Sequence, residues 1–554
     1  MSFLTRLLPR ACPSFSHTAL PQAVRNFTGH SRGRCFQPLP SIGKKVSLPP
    51  SIPSCSRSFT QKLSPSYSHT EQTGGASMHK TKKIGLALLL GVLLALPLGI
   101  YAGSTNKPAS TEQSQPIVLS KASGVEWARK CVGQYPEILW LADAKVRKTE
   151  EGVATLQGAY SEQLFGQKFI EFDRTIMTLH CLQLVLDGSD KAYQEFTAAQ
   201  PENAKLSKES FNKLHLQGVT LLQSKYQGMS KLEIMQAMEA SLVLGDIGKS
   251  EQARAVFKPY GAGAPDHDDF HGEVMQILQK NPELCPTFAR LTPAAKKLLL
   301  QSANLAHYGH ITHIEGGPAM FSHLKQSGVA VDSPVALSFD LFVHTCDVAG
   351  ALGHVNNQSS LVYTEPSHRA MQGMTDACKV LGDPTKTEID AYNAYLSLRA
   401  NWLGLDPQDR TCRALARMGA MLRLFTPEEG LILKQAVSKL DPDIQARIIA
   451  QLDLRDGREF GRTPTYMPAV LVNLANNPEL GASKEERLSQ AVVLGLPFVA
   501  RVLEKHKQNL EDHTADPTIP LNFNKAAGTA KNAPNTLARA FSIDLEGNVC
   551  VSGR

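Results

Sequence analysis

Three stretches of the sequence place imidazoles and carboxylates where they could share one divalent cation. His215 lies in a segment with an apolar face. Asp246 follows Ala240-Ser-Leu-Val-Leu-Gly245 and precedes Ile247-Gly248-Lys249, and Asp347 closes the run Leu341-Phe-Val-His-Thr-Cys-Asp347. Imidazole nitrogen and carboxylate oxygen are ordinary ligands of Mn, Fe and Zn, and oxygen alone suits Mg; a cation so held activates bound water as a nucleophile. Each residue also has a plain structural alternative. A histidine on an apolar helix face can be a packed core residue, and Asp246 can end a helix by bonding its own backbone. Lys249 is either a phosphate contact or an exposed helix-terminal lysine. Gly245, directly before Asp246, has no side chain with which to ligate.

Helices must position these groups. Ser207 is suited to cap a helix that carries Phe211, Leu214, His215, Gly218, Leu221 and Leu222 on or beside one face and stops near Gly228. Ser230-Lys-Leu-Glu233 is a capping box for the next helix, whose Leu232, Met235, Met238 and Leu242 lead to Gly245-Asp246. Such a hairpin returns the chain beside its start, so His215 and Asp246 are expected to converge. Thr426-Pro-Glu-Glu429 and Asp441-Pro-Asp443 mark two later helix starts. An unrelated helical-repeat protein is the expectation if His215, Asp246 and Asp347 lie far apart.

The order of these residues resembles the HD-domain phosphohydrolase superfamily. In that family a His on one helix, a His-Asp doublet ending the next and an Asp on a later helix hold one or two divalent metals that activate water against a phosphoester. Leu242-Val-Leu-Gly-Asp-Ile-Gly-Lys249 is similar to the family's apolar run ending in His-Asp-Ile-Gly-Lys, with Gly245 in place of the doublet histidine, and His344-Thr-Cys-Asp-Val-Ala349 is similar to its closing His-x-x-Asp segment. The likeness covers about residues 205–355. It implies a metal shell of His215, Asp246, His271 and Asp347, with Lys249 and one of His310 or His313 steadying charge developing on phosphorus. His271 is favoured over His267 because Gly272-Glu-Val-Met-Gln-Ile-Leu278 reads as the helix that follows. The Gly-Tyr-Pro tripeptide of one subgroup is absent, so cyclic-dinucleotide hydrolysis is not implied. The missing imidazole at Gly245 leaves two outcomes: a hydrolase with altered metal geometry acting on a small phosphorylated molecule, or a catalytically inactive binding or scaffold module.

The formal charge of +7 does not mark a nucleic-acid binder. Residues 1–77 carry nine Lys or Arg against Glu71 alone, and that +8 leaves the rest of the chain at −1. The basic, Ser/Pro/Arg-rich leader is a transit-like peptide, a disordered leader, or a stretch upstream of a true start at Met78. From Met78, a cationic stretch precedes the uncharged apolar run Ile84–Tyr101, whose 18 residues extend about 27 Å as a helix. This segment is either a secretory signal or a membrane span, placing the protein in or beyond a bacterial inner membrane, with the mitochondrial inner membrane as the alternative. No Cys-x-x-Cys pair occurs among the ten cysteines, which argues against a zinc knuckle or a thioredoxin-like site.

The fold expected is all-α: an HD-domain-like helical bundle with additional C-terminal helices, preceded by the targeting or membrane segment. The divisions fall at 1–77 (leader), 78–103 (signal or span), 104–204 (linker and first helices), 205–360 (HD-like core), 361–516 (C-terminal helices) and 517–554 (a loosely ordered tail in which Phe541-Ser-Ile-Asp-Leu-Glu could dock as a strand). After about residue 360 the pattern reads as helical packing, and Glu459-Phe-Gly-Arg-Thr-Pro464 as a loop. Beyond the membrane and a phosphorylated small molecule, no partner is implied.

Overall fold

The computed structural model describes residues 124–143, 157–264, 267–455 and 461–552. The leader and the apolar run 84–101 lie outside these residues. Among the described residues no helix is long and apolar enough to cross a membrane.

The described residues are mostly helical, 69% of them. In order come α1 (Val125–Gln134), α2 (Ile170–Asp187), α3 (Lys208–Gln223), α4 (Lys231–Gly245), a 3-10 turn (Ile247–Lys249) and α5 (His267–Lys280). They are followed by α6 (Tyr308–His313), α7 (Pro334–Gly350), α8 (Glu365–Val380), α9 (Glu388–Trp402) and α10 (Arg410–Met421). The C-terminal part holds α11 (Pro427–Val437), α12 (Pro442–Leu452), α13 (Met467–Ala475), α14 (Leu496–Glu511) and α15 (Asn524–Asn532). The expected caps form where local chemistry demands them. Ser207 accepts from the Ser210 amide, and Ser230 with Glu233, like Thr426 with Glu429, closes a capping box that satisfies orphan donors at both positions.

α2 is the axis of the N-terminal half. Most of its length is buried all round, as expected of a helix surrounded by others. α7 runs antiparallel along it, and glycine makes the approach close. A Cβ at Gly350 would lie 2.3 Å from the Thr178 hydroxyl, and one at Gly353 would lie 2.4 Å from the Asp173 carbonyl. α3 closes on both helices through Gly218, whose missing side chain leaves room for Phe342 and Leu186. A buried apolar cluster runs without a break from Trp127 to Val549, and the described residues form one compact unit. The expected divisions at residues 204 and 360 therefore do not separate independent cores.

The tail is ordered rather than loose. α15 lies against α13, whose Asn473 donates to the Ala527 carbonyl at 2.7 Å, and Asn477, two residues beyond α13, donates to the carbonyl of Ala530 at 3.2 Å. The strands β1 (Phe541–Ile543) and β2 (Val549–Val551) pair antiparallel with Ser542 opposite Cys550. The seven cysteines among the described residues are free thiols, all but Cys550 buried.

Candidate functional site

α4 ends at Gly245, Asp246 takes the capping position, and the 3-10 turn folds the chain back so that Lys249 meets Asp246 three residues earlier, Nζ to Oδ1 at 2.9 Å. The same ammonium lies 2.7 Å from Glu171 at the start of α2, and Arg174 holds the other oxygen of Glu171 at 2.5 Å. These side chains are sealed in, that of Lys249 being only 5% exposed. Burial alone would push the Lys249 ammonium down. The carboxylates of Asp246 and Glu171 outweigh burial and the opposing Arg174, and hold it well above the ordinary lysine range. Among the described residues, two carboxylates and two cations thus meet where the turn after α4 reaches the first turn of α2.

Asp347, one turn before Gly350 on α7, faces this cluster. Burial pushes its carboxyl up to about 8, repulsion by Asp246 adds to the rise, and Lys249 opposes it. Asp347 Oδ2 is shut off from solvent with no hydrogen-bond partner among the described residues. Asp340 and His344 fall on the same stripe of α7. Asp340, pushed up to about 7 by burial, accepts from the Tyr308 hydroxyl at 2.6 Å, and the His344 ring packs 5.1 Å from that of Tyr308. His354, just beyond α7, is buried, and neither ring nitrogen finds a partner among the described residues. Burial, helped by Arg174 and opposed by Glu171, takes its imidazole down to about 4, so it is neutral near pH 7.

The expected metal shell does not assemble as a unit. Asp246 and Asp347 come together, but His215 does not join them. Its Nδ1–H donates to the Val185 carbonyl at 2.8 Å, one of the last carbonyls of α2, and its ring fills the space above Gly188. Val185 and Glu171 are separated by about 21 Å of helix at about 1.5 Å per residue, so His215 caps the opposite end of α2 from the cluster. His271 lies on α5, whose first turn docks on the 3-10 turn, the Gly248 position lying against the His267 carbonyl and the Phe270 ring. Arg254 fixes this junction by donating to the carbonyls of Gly248 (2.9 Å) and Ala264 (2.7 Å) while lying over the Phe270 ring.

His310 and His313 face elsewhere. His310 Nδ1 is 3.3 Å from Glu315 Oε2. Burial, with Arg423 and Arg399 next, pushes the His313 imidazole well below the usual range. Lys249 is neither a free phosphate contact nor an exposed helix-terminal lysine; it is the centre of the buried cluster. Among the described residues no three His, Cys, Asp or Glu side chains lie close enough together to hold a metal ion.

A protein-family model matches residues 134–526, which span all of these elements from the end of α1 into α15. The chain belongs to DUF6829, a family of unknown function. No curated protein and no solved structure matches it. This DUF6829 chain carries two functional groups that the sequence motifs did not single out, Glu171 and Arg174. Their signal was present in Phe169-Ile-Glu-Phe-Asp-Arg174, where charges interrupt an otherwise apolar run that becomes the buried start of α2. A further buried carboxyl, Glu239 on α4, is pushed up to about 7 by burial against the hydrogen bonds from Tyr135 and Gln183. It sits at the His215 end of α2, apart from the cluster.

Proposed function

We propose that this protein is a catalytically inactive, HD-like helical binding or scaffold protein in which the Lys249 ammonium stands in for a divalent cation. One observation carries the reading: Lys249 Nζ lies between Glu171 and Asp246 at 2.7 and 2.9 Å inside the core. An ion brought to Asp246 would have to displace a buried ammonium already matched in charge, and it would find no imidazole at Gly245 and none at His215. The donors do not fit a resident metal.

A second reading, the metal-dependent phosphohydrolase with Asp246, His271 and Asp347 as donors, has one observation in its favour: the unpartnered Oδ2 of Asp347 beside Asp246. Elemental mass spectrometry on the full chain and on Asp246→Ala decides between the two. The inactive reading expects no stoichiometric metal in either sample. Near-stoichiometric Mn, Fe or Zn that disappears in Asp246→Ala would overturn it in favour of the hydrolase. Anchorage to a membrane rests on residues 84–101 of the sequence, and fractionation of the full chain against one lacking 84–101 tests it.

A further inference from the structure

The C-terminal half, where the sequence indicated only packing, holds a cleft of about 290 Å³ between α10, α12 and α14, with the loop at Gly316-Gly317 on one side and the segment from Gly461 to Pro464 on another. The charges in its walls are engaged. Arg410 and Arg413 hold Asp453, each at 2.8 Å. Arg417 donates from Nε to the Ile314 carbonyl at 3.0 Å, from one terminal nitrogen to the Glu315 carbonyl, and from the other to the Gln451 carbonyl at 3.5 Å. Lys507 has Glu511 at 3.9 Å. A ligand that relied on a bare cation would compete here with bonds the protein has already made.

His506 is different. It lines the cleft from α14, is 4% exposed, and neither of its ring nitrogens has a partner among the described residues. Burial holds its imidazole below the usual range, so near pH 7 the ring is neutral, with one N–H to donate and one lone pair to accept. A buried polar group left unpaired in the wall of a cavity marks where a polar group of a ligand would be received. Gly461 keeps that approach open: at φ 73° a side chain would be strained, and a Cβ would lie 3.0 Å from His506 Nε2. Elsewhere the lining sets apolar Leu454, Leu503 and Pro464 beside neutral Gln451 and Thr463.

We infer that this cleft binds a small uncharged polyol, about the size of one monosaccharide, with His506 Nε2 bonded to one of its hydroxyls and Leu454 and Leu503 against its C–H face. A hydroxyl both donates and accepts, so it suits either tautomer of His506 as well as the Gln451 amide and the Thr463 hydroxyl. An uncharged ligand also leaves the ion pairs of the wall intact. The volume matches roughly ten waters at about 30 Å³ each, room for one sugar-sized ring with its hydroxyls. The inference is independent of the state of Lys249, because the two sites share no residue.

Ligand-detected saturation-transfer NMR on the full chain with D-glucose and with myo-inositol tests it, beside His506→Phe and Gly461→Ala. His506→Phe keeps a ring and removes both nitrogens. Gly461→Ala lies in an exposed segment and covers Nε2 from outside, so it probes the site even where a phenyl ring at 506 unsettles α14. Saturable binding of at least one polyol, weakened about fivefold or more in each variant that keeps the wild-type circular dichroism, is the expected result. No saturation by either polyol up to about 50 mM, or equal affinity in the wild type and Gly461→Ala, overturns the inference. Saturable binding of inorganic phosphate with no binding of either polyol overturns it in favour of an anion site.

Discussion

Replacing Lys249 by Met keeps the length of the side chain and removes its charge, leaving Asp246 buried without the cation that holds it. At about 3 Å and an effective dielectric of about 20, each of the two Lys249 pairs carries roughly 5 kcal/mol of gross attraction, most of it offset by the cost of desolvating the groups. Removing one partner of a buried pair costs about 3–5 kcal/mol, because the remaining charge stays buried. The lower end is expected here, since Arg174 still holds Glu171 at 2.5 Å. The expected loss is therefore about 3 kcal/mol in urea unfolding followed by far-UV circular dichroism near pH 7. Adding Asp246→Asn to Lys249→Met should recover most of it. A loss below about 1 kcal/mol, the level of an exposed pair, or a double variant no more stable than Lys249→Met, would refute the view of Lys249 as a built-in cation.

Three further outcomes follow from the same geometry. Asp347, raised in the fold, holds its proton between about pH 4 and 8 while the unfolded chain loses it, so wild-type stability falls as pH rises through that window; Asp347→Asn should remove up to about 1.4 kcal/mol per pH unit of this slope, and parallel unfolding profiles would contradict it. His354 is depressed, so its contribution has the opposite sign: the unfolded chain binds more protons between about pH 4 and 6.5, and stability is lost as pH falls through that range. His354→Leu should flatten this acid limb and cost little near neutrality, whereas a loss beyond about 2 kcal/mol at pH 7 would point to a bonded imidazole. His215→Ala should cost about 1–2 kcal/mol through the lost bond to Val185 and leave metal content unchanged; loss of bound metal would restore His215 to a metal shell.

Much of the fold was legible because helix starts are written locally. Ser207, Ser230 with Glu233, Thr426 with Pro427 and Asp441 each announce a helix within four residues, and each caps one. The tail was harder, because Asn, Thr, Ala and Gly read as loose until something covers them. What covers α15 is α13, whose Asn473, with Asn477 just beyond it, seeks a carbonyl more than fifty residues away, a relation that no local pattern carries.

The site was half legible, and the half that failed did so for a geometric reason already contained in the hairpin. α3 and α4 turn near residue 227, so an antiparallel register places His215 opposite Glu239 and not opposite Asp246. α2 records that register: Gln183 bonds Glu239 and Val185 bonds His215 at one end, while Glu171 meets Lys249 at the other. Spacing of about thirty residues between His215 and Asp246 was compatible with convergence only if His215 had begun α3, and it lies in its middle. Asp246 and Asp347 did converge, because both sit at or near helix C-terminal ends on the same side of the bundle. The partner of Asp246 then had to be cationic, since a buried carboxylate without compensation takes up a proton or unfolds the turn. The chain supplies that cation three residues later, in the lysine of Asp246-Ile-Gly-Lys249, so the segment most suggestive of a metal site contains what makes a metal unnecessary there.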